Sequence, residues 1–475
     1  MTNNLNRSLM DKDNNEKKSE KCMHPTEDFR GLTIYQVMVG SFMHSDNGPE
    51  GYSEMWGPDN QTKNGNLRGI IEALPHIASL GVNAIWLTPI FDSRGATGGE
   101  KLQASGYFAK DYFAIDPNFG TEDDLHELVG KAHEMGIYVL LDGVFGHHGG
   151  VDKPSPAGNT IDSTTTVNER EEEGNVKYPE SLEYFKEVAT YWIDKFEIDG
   201  WRFDQAYQLC QDGHNYWTEI GEAVRELCDR RRKEGKEWGV LGYLVGEDWS
   251  DAEGISSRIY RDGGLISAFD FDGKELISGP MADLETGGLD NGWDDVVKVY
   301  SKPTERGYLN DDVLPNLFLS NHDGFRVADH FYDDDIDINV MTRHAILAGY
   351  PGPITIYYGD EFADLSRDCE GGQPDNMART SGHIMADDER AAHTYNYVAK
   401  VMNFRKENPA TWRGEQEFNQ YKNGEADVLV VTKTDPESDN KVVIIFSNRD
   451  TTEIVPGISY PVEVKGFIPE FIKIS

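Results

Sequence analysis

Cysteine is scarce and unpatterned. Its four copies, Cys22, Cys210, Cys228 and Cys369, form no CxxC spacing, so a metal knuckle or a dithiol redox centre has no sequence support. Four cysteines allow three pairings that spacing does not rank, and buried or unpaired thiols are the expectation. Basic residues are also few. Lys and Arg total 45 against 84 Asp and Glu, a formal charge of −39, which excludes phosphate-rich partners such as nucleic acid and anionic membrane surfaces. No apolar run approaches the roughly 18 residues that a membrane span requires. The opening stretch MTNNLNRSLMDKDNNEKKSEKC has no apolar core of a signal peptide. Residues 1–30 are therefore expected to be a disordered polar leader on a cytoplasmic protein, or on a secreted one whose signal has been trimmed. Beyond one strand-helix rhythm there is no internal repeat and no low-complexity tract.

What the chain does have is size and a globular composition: 475 residues, 38% hydrophobic, 11% aromatic, with 48 glycines. From Thr33 onward a short β-branched or aromatic run, a loop and an amphipathic helical stretch recur. The runs are Thr33–Val39, Val82–Leu87, Ile137–Val144, Ile198–Phe203, Tyr243–Glu247, Leu265–Phe271, Leu317–Ser320 and Ile354–Tyr358. Leu67–Leu80, Glu122–Met135, Ser181–Lys195 and Asn215–Arg232 read as helices between them. Eight alternations predict an α/β fold, a (β/α)8 TIM barrel over 31–147 and 181–412, with a doubly wound sheet as the alternative. Residues 148–180, rich in Gly, Pro, Thr and charge, read as a short insertion after strand 3. After Pro409 the helical pattern stops, and alternating runs at Val428–Thr432, Lys441–Ser447 and Tyr460–Val464 predict a C-terminal antiparallel β domain, a β-sandwich over 413–475. Residues 1–30 are neutral and 413–475 carry −4, so −35 of the charge falls on the central body. An acid excess of that size suits a salt-adapted source, because surface self-repulsion is relieved by salt.

Barrels of this kind draw their chemistry from the C-terminal ends of strands. The third run ends in Asp142 and, after a turn, His147. The fourth ends in Arg202 and Asp204, the fifth in Glu247, and the seventh in Asn321, His322 and Asp323. A single carboxylate at a strand end reads most simply as a cap. Recurrence at corresponding ends of several strands, with an Arg among them, reads instead as a shared site whose carboxylates have environment-shifted pKa values. Two or three carboxylates without a phosphate loop or metal cluster suit glycoside hydrolysis: one attacks the anomeric carbon, one protonates the leaving oxygen, and a further negative charge favours an oxocarbenium-like transition state.

These segments resemble the signature regions of the α-amylase family, glycoside hydrolase family 13, from about residue 30 onward. The matching stretches are Asp142-Gly-Val-Phe-Gly-His147, Gly200-Trp-Arg202-Phe-Asp204, Glu247 and Asn321-His322-Asp323, separated so that Asp142, Asp204, Glu247 and Asp323 lie 62, 43 and 76 residues apart. The resemblance implies a retaining α-glycosidase of amylase or α-glucosidase type acting on α-glucans or maltooligosaccharides, with Asp204 as nucleophile, Glu247 as general acid/base and Asp323 stabilising the transition state. It also implies sugar binding by Tyr107, His147, Arg202 (which holds Asp204 ionised), His322, and the pair Asp375 and Arg379. No cofactor is implied for the chemistry. A structural calcium is common in the family, but its usual Asn ligand before the strand-3 His is Gly146 here, and the Lys-His pair beyond the nucleophile is Tyr207 and Gln208. A separate calcium loop at Asp46, Asn47, Asp59, Asn60, Asn64 and Asn66 competes with an ordinary polar turn. Two other functions share these motifs: a transglycosylase, mutase or phosphorylase using the same intermediate, and a non-catalytic amylase-like binding protein. The intact carboxylate triad speaks against the latter.

Overall fold

The computed structural model describes residues 25–55, 57–58, 64–96, 99–164, 174–282, 284, 286–331, 335–367 and 374–474. Each of the eight runs supplies a strand: β1 (Thr33–Val37), β2 (Ala84–Leu87), β3 (Tyr138–Gly143), β4 (Gly200–Phe203), β5 (Tyr243–Gly246), β6 (Ser267–Phe269), β7 (Leu314–Phe318) and β8 (Ile354–Tyr357). They pair in parallel and in chain order. The ring closes through β8 and β1, with Thr33 opposite Ile354 and Gln36 opposite Tyr357. That closure makes the fold a (β/α)8 barrel and rules out the doubly wound sheet.

The two-residue period of the strands divides their side chains. Ile34, Ala84, Trp86, Tyr138, Leu140, Tyr243, Val245, Phe269 and Phe318 form one buried cluster in the barrel's interior. The alternate residues Tyr35, Val37, Ile85, Leu87, Val139 and Leu141 join the layer beneath the helices. Those helices are α1 (Leu67–Ser79), α2 (Glu122–Glu134), α3 (Leu182–Phe196), α4 (Trp217–Lys233), α5 (Ala252–Arg258), α6 (Phe271–Ser278), α7 (Trp293–Tyr300), α8 (Ile336–Gly349) and α9 (Glu389–Glu407). Their starts are written in the sequence. Thr121 and Asp124 cap α2 reciprocally, and Asn66 and Asp388 accept first-turn amides of α1 and α9.

The sixth run is shorter than its hydrophobicity predicts. Asp270 stops β6 by capping α6: its carboxylate accepts from the Gly273 amide at 2.8 Å, from Tyr308 at 2.8 Å and from Arg306 at 2.6 Å. Phe271 therefore opens a helix. The expected leader also ends earlier than residue 30. Asp28 caps the turn Phe29–Gly31, and the Phe29 ring lies 5.2 Å from that of Tyr243, so residues 25–30 rest against the barrel. Residues 1–24 lie outside the described residues.

After β3 the chain forms a small antiparallel sheet in which His147–His148 and Ser163–Thr164 both pair with Gly174–Val176. Beyond the barrel come β9 (Glu415–Asn423), β10 (Ala426–Thr434), β11 (Lys441–Ser447), β12 (Thr451–Glu453), β13 (Val462–Val464) and β14 (Glu470–Ile474). The strands β9, β10, β11 and β14 make one antiparallel sheet, and β12 and β13 a second. Val428, Val430, Val443 and Ile445 pack with Val455, Val462 and Val464, while Leu429, Val431, Ile444 and Phe446 join the barrel's own core. The polar run β9 was not expected as a strand; it is a mostly exposed edge, where pairing on one side needs no apolar face. Among the described residues, no helix is long and apolar enough to cross a membrane.

Candidate active site

The inward row of the barrel continues upward past its apolar layers. After Ile34 comes Gln36, after Leu140 comes Asp142, after Val245 comes Glu247, and β4 contributes Arg202 and then Asp204. The register that buries the core therefore aims these polar groups into one space at the strands' C-terminal ends.

Arg202 organises them. Its buried guanidinium donates through Nη1 to Asp142 at 2.9 and 3.0 Å and to Asp204 at 3.0 Å, and Nη2 lies 2.7 Å from Glu247. An unpaired charge at this depth would cost several kcal/mol, and three carboxylates offset that cost. The guanidinium also lies over the Trp86 ring, 4.9 Å from its centroid. Asp142 accepts further hydrogen bonds from Trp86 Nε1 at 3.1 Å and the Tyr107 hydroxyl at 2.9 Å.

Asp204 and Asp142 are both held above the usual carboxylate range. Burial is the leading cause for each and Arg202 opposes it; Glu247 then adds to the rise at Asp204, and Asp204 to that at Asp142. Glu247, also buried, is fixed on three sides by Arg202, by Trp249 Nε1 at 3.1 Å, and by the Gln205 amide at 3.1 Å. That amide is aimed by a backbone turn: Gln205 has a φ of 40°, in the left-handed region that non-glycine residues seldom occupy. Such a conformation next to Asp204 is a strained backbone feature of the kind that clusters at active sites.

Asp323 is the more open carboxylate. Arg379 holds it through Nη2 at 2.8 Å while its Nε donates to the His322 carbonyl at 3.1 Å. His322 lies flat against Tyr107, with ring centroids 5.2 Å apart and planes 12° apart. Tyr107, 7% exposed, lies among Asp142, Asp204 and Asp323. His147 packs against Phe108 and approaches Gln208 Oε1 through Nδ1 at 3.3 Å, whereas its buried Nε2 has no hydrogen-bond partner among the described residues.

Tyr107, Arg202, Asp204, Glu247, His322, Asp323 and Arg379 thus meet in one linked network, with His147 close enough to Asp204 to lower its pKa. Asp375 belongs to the short helix Pro374–Met377, but its side chain lies outside the described residues. Sequence reasoning missed Gln36, Trp86, Gln205 and Trp249. The last is a half-exposed indole beside Glu247, and only the spacing Glu247-Asp-Trp249 could have signalled it.

The usual calcium ligand set does not fit. A side chain at Gly146 would meet Gln208: a Cβ there falls 1.8 Å from its Oε1 and 2.5 Å from its Cβ. In the alternative loop, three of the six side chains already have partners. The Asn66 amide bridges the carbonyls of Ser45 and Pro49 and caps α1, Asn47 bonds Glu72, and Asp46 pairs with His44. Asp59 and Asn60 lie outside the described residues.

Three buried carboxylates around one arginine, with a more open fourth held by a second arginine, at the strand ends of a (β/α)8 barrel have the make-up of a glycoside hydrolase site. The family profile for the alpha-amylase catalytic domain matches residues 36–156 and 167–426. The cyclomaltodextrinase of Geobacillus thermopakistaniensis (strain MAS1) is 27% identical over 91% of this chain and 71% of its own length. The maltogenic alpha-amylase of Bacillus acidopullulyticus is 26% identical over 90% of this chain and 70% of its own. Among solved structures, AmyP in complex with maltose superposes with a TM-score of 0.77 at 33% identity, covering 94% of this chain and 97% of that one.

The chain belongs to the alpha-amylase family, glycoside hydrolase family 13. It is a retaining α-glycosidase that hydrolyses α-glucosidic bonds, and the family's chemistry needs no cofactor.

Proposed function

We propose that Asp204 is the nucleophile, Glu247 the general acid/base and Asp323 the transition-state stabiliser, acting on α-glucan oligosaccharides of the maltooligosaccharide class. The sharing of one guanidinium by Asp204 and Glu247 carries this reading, because it puts both carboxyl groups against the same small space. Asp204 attacks the anomeric carbon as Glu247 delivers a proton to the leaving oxygen. The β-linked glucosyl-enzyme then yields to a water that Glu247 deprotonates. Asp323 stays uncoupled from the anomeric carbon and opposes its growing positive charge. Tyr107, His147, His322, Asp375 and Arg379 bind the sugar, and Arg202 keeps Asp204 ionised. The maltose in the AmyP structure and the names of the cyclomaltodextrinase and maltogenic relatives support the substrate class. The division into a barrel at 31–147 and 181–412, an insertion at 148–180 and a β-sandwich at 413–475 belongs to the same reading, as does a cytoplasmic setting.

The test is the anomer first released. Proton NMR of maltooligosaccharide hydrolysis should show α-configured product appearing first and mutarotating later; β-product first overturns the assignment. Running trehalose and sucrose alongside, with and without phosphate, reads transfer against hydrolysis.

Gln208 in the space beside Gly146 supports a second part of the proposal: the junction after strands β3 and β4 is held by a side chain rather than by calcium. The acid excess supports salt adaptation. Thermal unfolding should be unmoved by a chelator and should shift upward from low to near-molar salt. A chelator-induced fall refutes the first statement; a flat or falling salt response refutes the second.

A further inference from the structure

Gln36 is wholly buried in the middle of β1, yet its carboxamide meets the ring of His322, 286 residues further along the chain, at 2.8 Å from Nδ1. Closure of the barrel between β8 and β1 makes this contact.

The direction of each hydrogen follows from a chain of single-valued partners. Asp142 receives Arg202 Nη1, Trp86 Nε1 and the Tyr107 hydroxyl, so it acts only as an acceptor there. The one hydrogen of the Tyr107 hydroxyl therefore points to Asp142. His322 Nε2 lies 2.5 Å from that same hydroxyl oxygen, so the hydrogen in this contact must be on Nε2. The same Nε2 is 3.3 Å from Asp323 Oδ2, which also favours a hydrogen on it. A neutral imidazole then has a lone pair at Nδ1, and Gln36 must present its NH2 rather than its oxygen. The amide oxygen has no hydrogen-bond partner among the described residues, so no donor there holds the opposite orientation.

The charged groups facing His322 agree with a neutral ring. Burial lowers its pKa far below the ordinary value, with Arg379 and Arg202 acting in the same sense and Glu247 against them. Among the described residues, the titratable side chains of Tyr107 and Asp323 also contact the ring.

We propose that Gln36 is a positioning residue of the glycosidase site: by donating to Nδ1 it fixes His322 as the Nε2–H tautomer, and that hydrogen in turn holds the Tyr107 ring and the Asp323 carboxylate in place. The catalytic part of this rests on the roles assigned above. Gln36 touches no substrate; it acts through His322, as outer partners of a histidine set its tautomer elsewhere.

Two variants and one spectrum test it. Gln36→Glu offers Nδ1 only acceptors at neutral pH, which draws the hydrogen to Nδ1 and takes it from Tyr107 and Asp323. The expected loss in kcat/KM is about 10- to 100-fold, the scale seen when a histidine's orienting partner is removed. The loss should shrink as pH is lowered, because the introduced carboxyl, once protonated, donates to Nδ1 again. Gln36→Met should lose activity without that recovery. In selectively 15N-histidine-labelled full-length protein, the His322 signal (assigned by its disappearance in His322→Gln) should report hydrogen on Nε2 in the wild type and on Nδ1 in Gln36→Glu. Hydrogen on Nδ1 in the wild type overturns the proposal. So does an altered tautomer with unchanged kinetics, or equal losses in both variants that follow a lowered melting temperature with no change in pH profile. The spectrum reads the Gln36–His322 contact without turnover, so it stands apart from any failure of the nucleophile assignment.

Discussion

Replacing Asp204 by glycine is expected to abolish hydrolysis and to let azide restore turnover, with β-glucosyl azide as the product. The nucleophile's carboxylate is the only group proposed to bond the anomeric carbon. Its loss should lower kcat by on the order of 10⁴- to 10⁶-fold, the range typical of removing an enzyme's covalent nucleophile. Glycine opens a space below the sugar that a small anion can enter. An activated α-glucosyl fluoride needs no proton on its leaving group, so azide attacks from the vacated side, expels fluoride and inverts the centre. In Glu247→Ala the outcome differs in a diagnostic way: Asp204 still forms the β-linked intermediate, azide displaces it from the other face, and α-glucosyl azide accumulates. The two anomers distinguish nucleophile from acid/base without reference to rate. Hydrolysis that survives in Asp204→Gly, or α-azide from it, would assign the nucleophile elsewhere. KM for maltooligosaccharides should move little in Asp204→Asn, since Tyr107, His147 and Arg379 remain.

Why some of this site could be read in the sequence and some could not has a physical explanation. Asp142, Asp204 and Glu247 stand where an apolar run ends in a carboxylate, and a strand end is recognisable from composition alone. Gln36 and Trp86 sit inside such runs, where a polar or indole group reads as strand interior. Their role depends on the inward parity of neighbouring strands and, for Gln36, on the closure that brings residue 36 to residue 322. Counting by two from Ile34 along β1 would have put Gln36 in the same row as Asp142 and Arg202, had the ring been known to close. The turn at Gln205 carries no glycine, so its left-handed backbone left no mark in composition. The strand β9 failed for the opposite reason: Glu415–Asn423 has no apolar face to detect, because an edge strand is specified by its partner's backbone. The eight barrel strands were legible since each must fill an interior of fixed width, which forces the apolar run.

Replacing Arg202 by methionine should damage folding and catalysis together. Methionine matches much of the volume but leaves Asp142, Asp204 and Glu247 buried with no cation. Breaking a buried ion network from one side costs about 3–5 kcal/mol, so chemical denaturation at pH 7 should show a loss of that order. The pH dependence has a definite sign. Asp142 and Asp204 already have folded-state pKa values raised above the unfolded value of 3.8. Their contribution to stability is fully present below the unfolded value and declines as pH rises through the folded values. Without the guanidinium, the one group that pulls both values down strongly, the folded values climb and the declining window extends to higher pH. The variant should therefore recover stability relative to wild type as pH is lowered toward 5. Catalysis moves the other way: the nucleophile must be ionised, so the acid limb of kcat/KM shifts upward from about 6, and a rise of about two pKa units lowers neutral activity by on the order of 10-fold through the ionised fraction alone. Arg202→Lys keeps a charge but not the fork that reaches three carboxylates, and should fall between the two. An Arg202→Met protein with wild-type stability and an unmoved acid limb would mean that Asp204 is kept ionised by something other than this guanidinium.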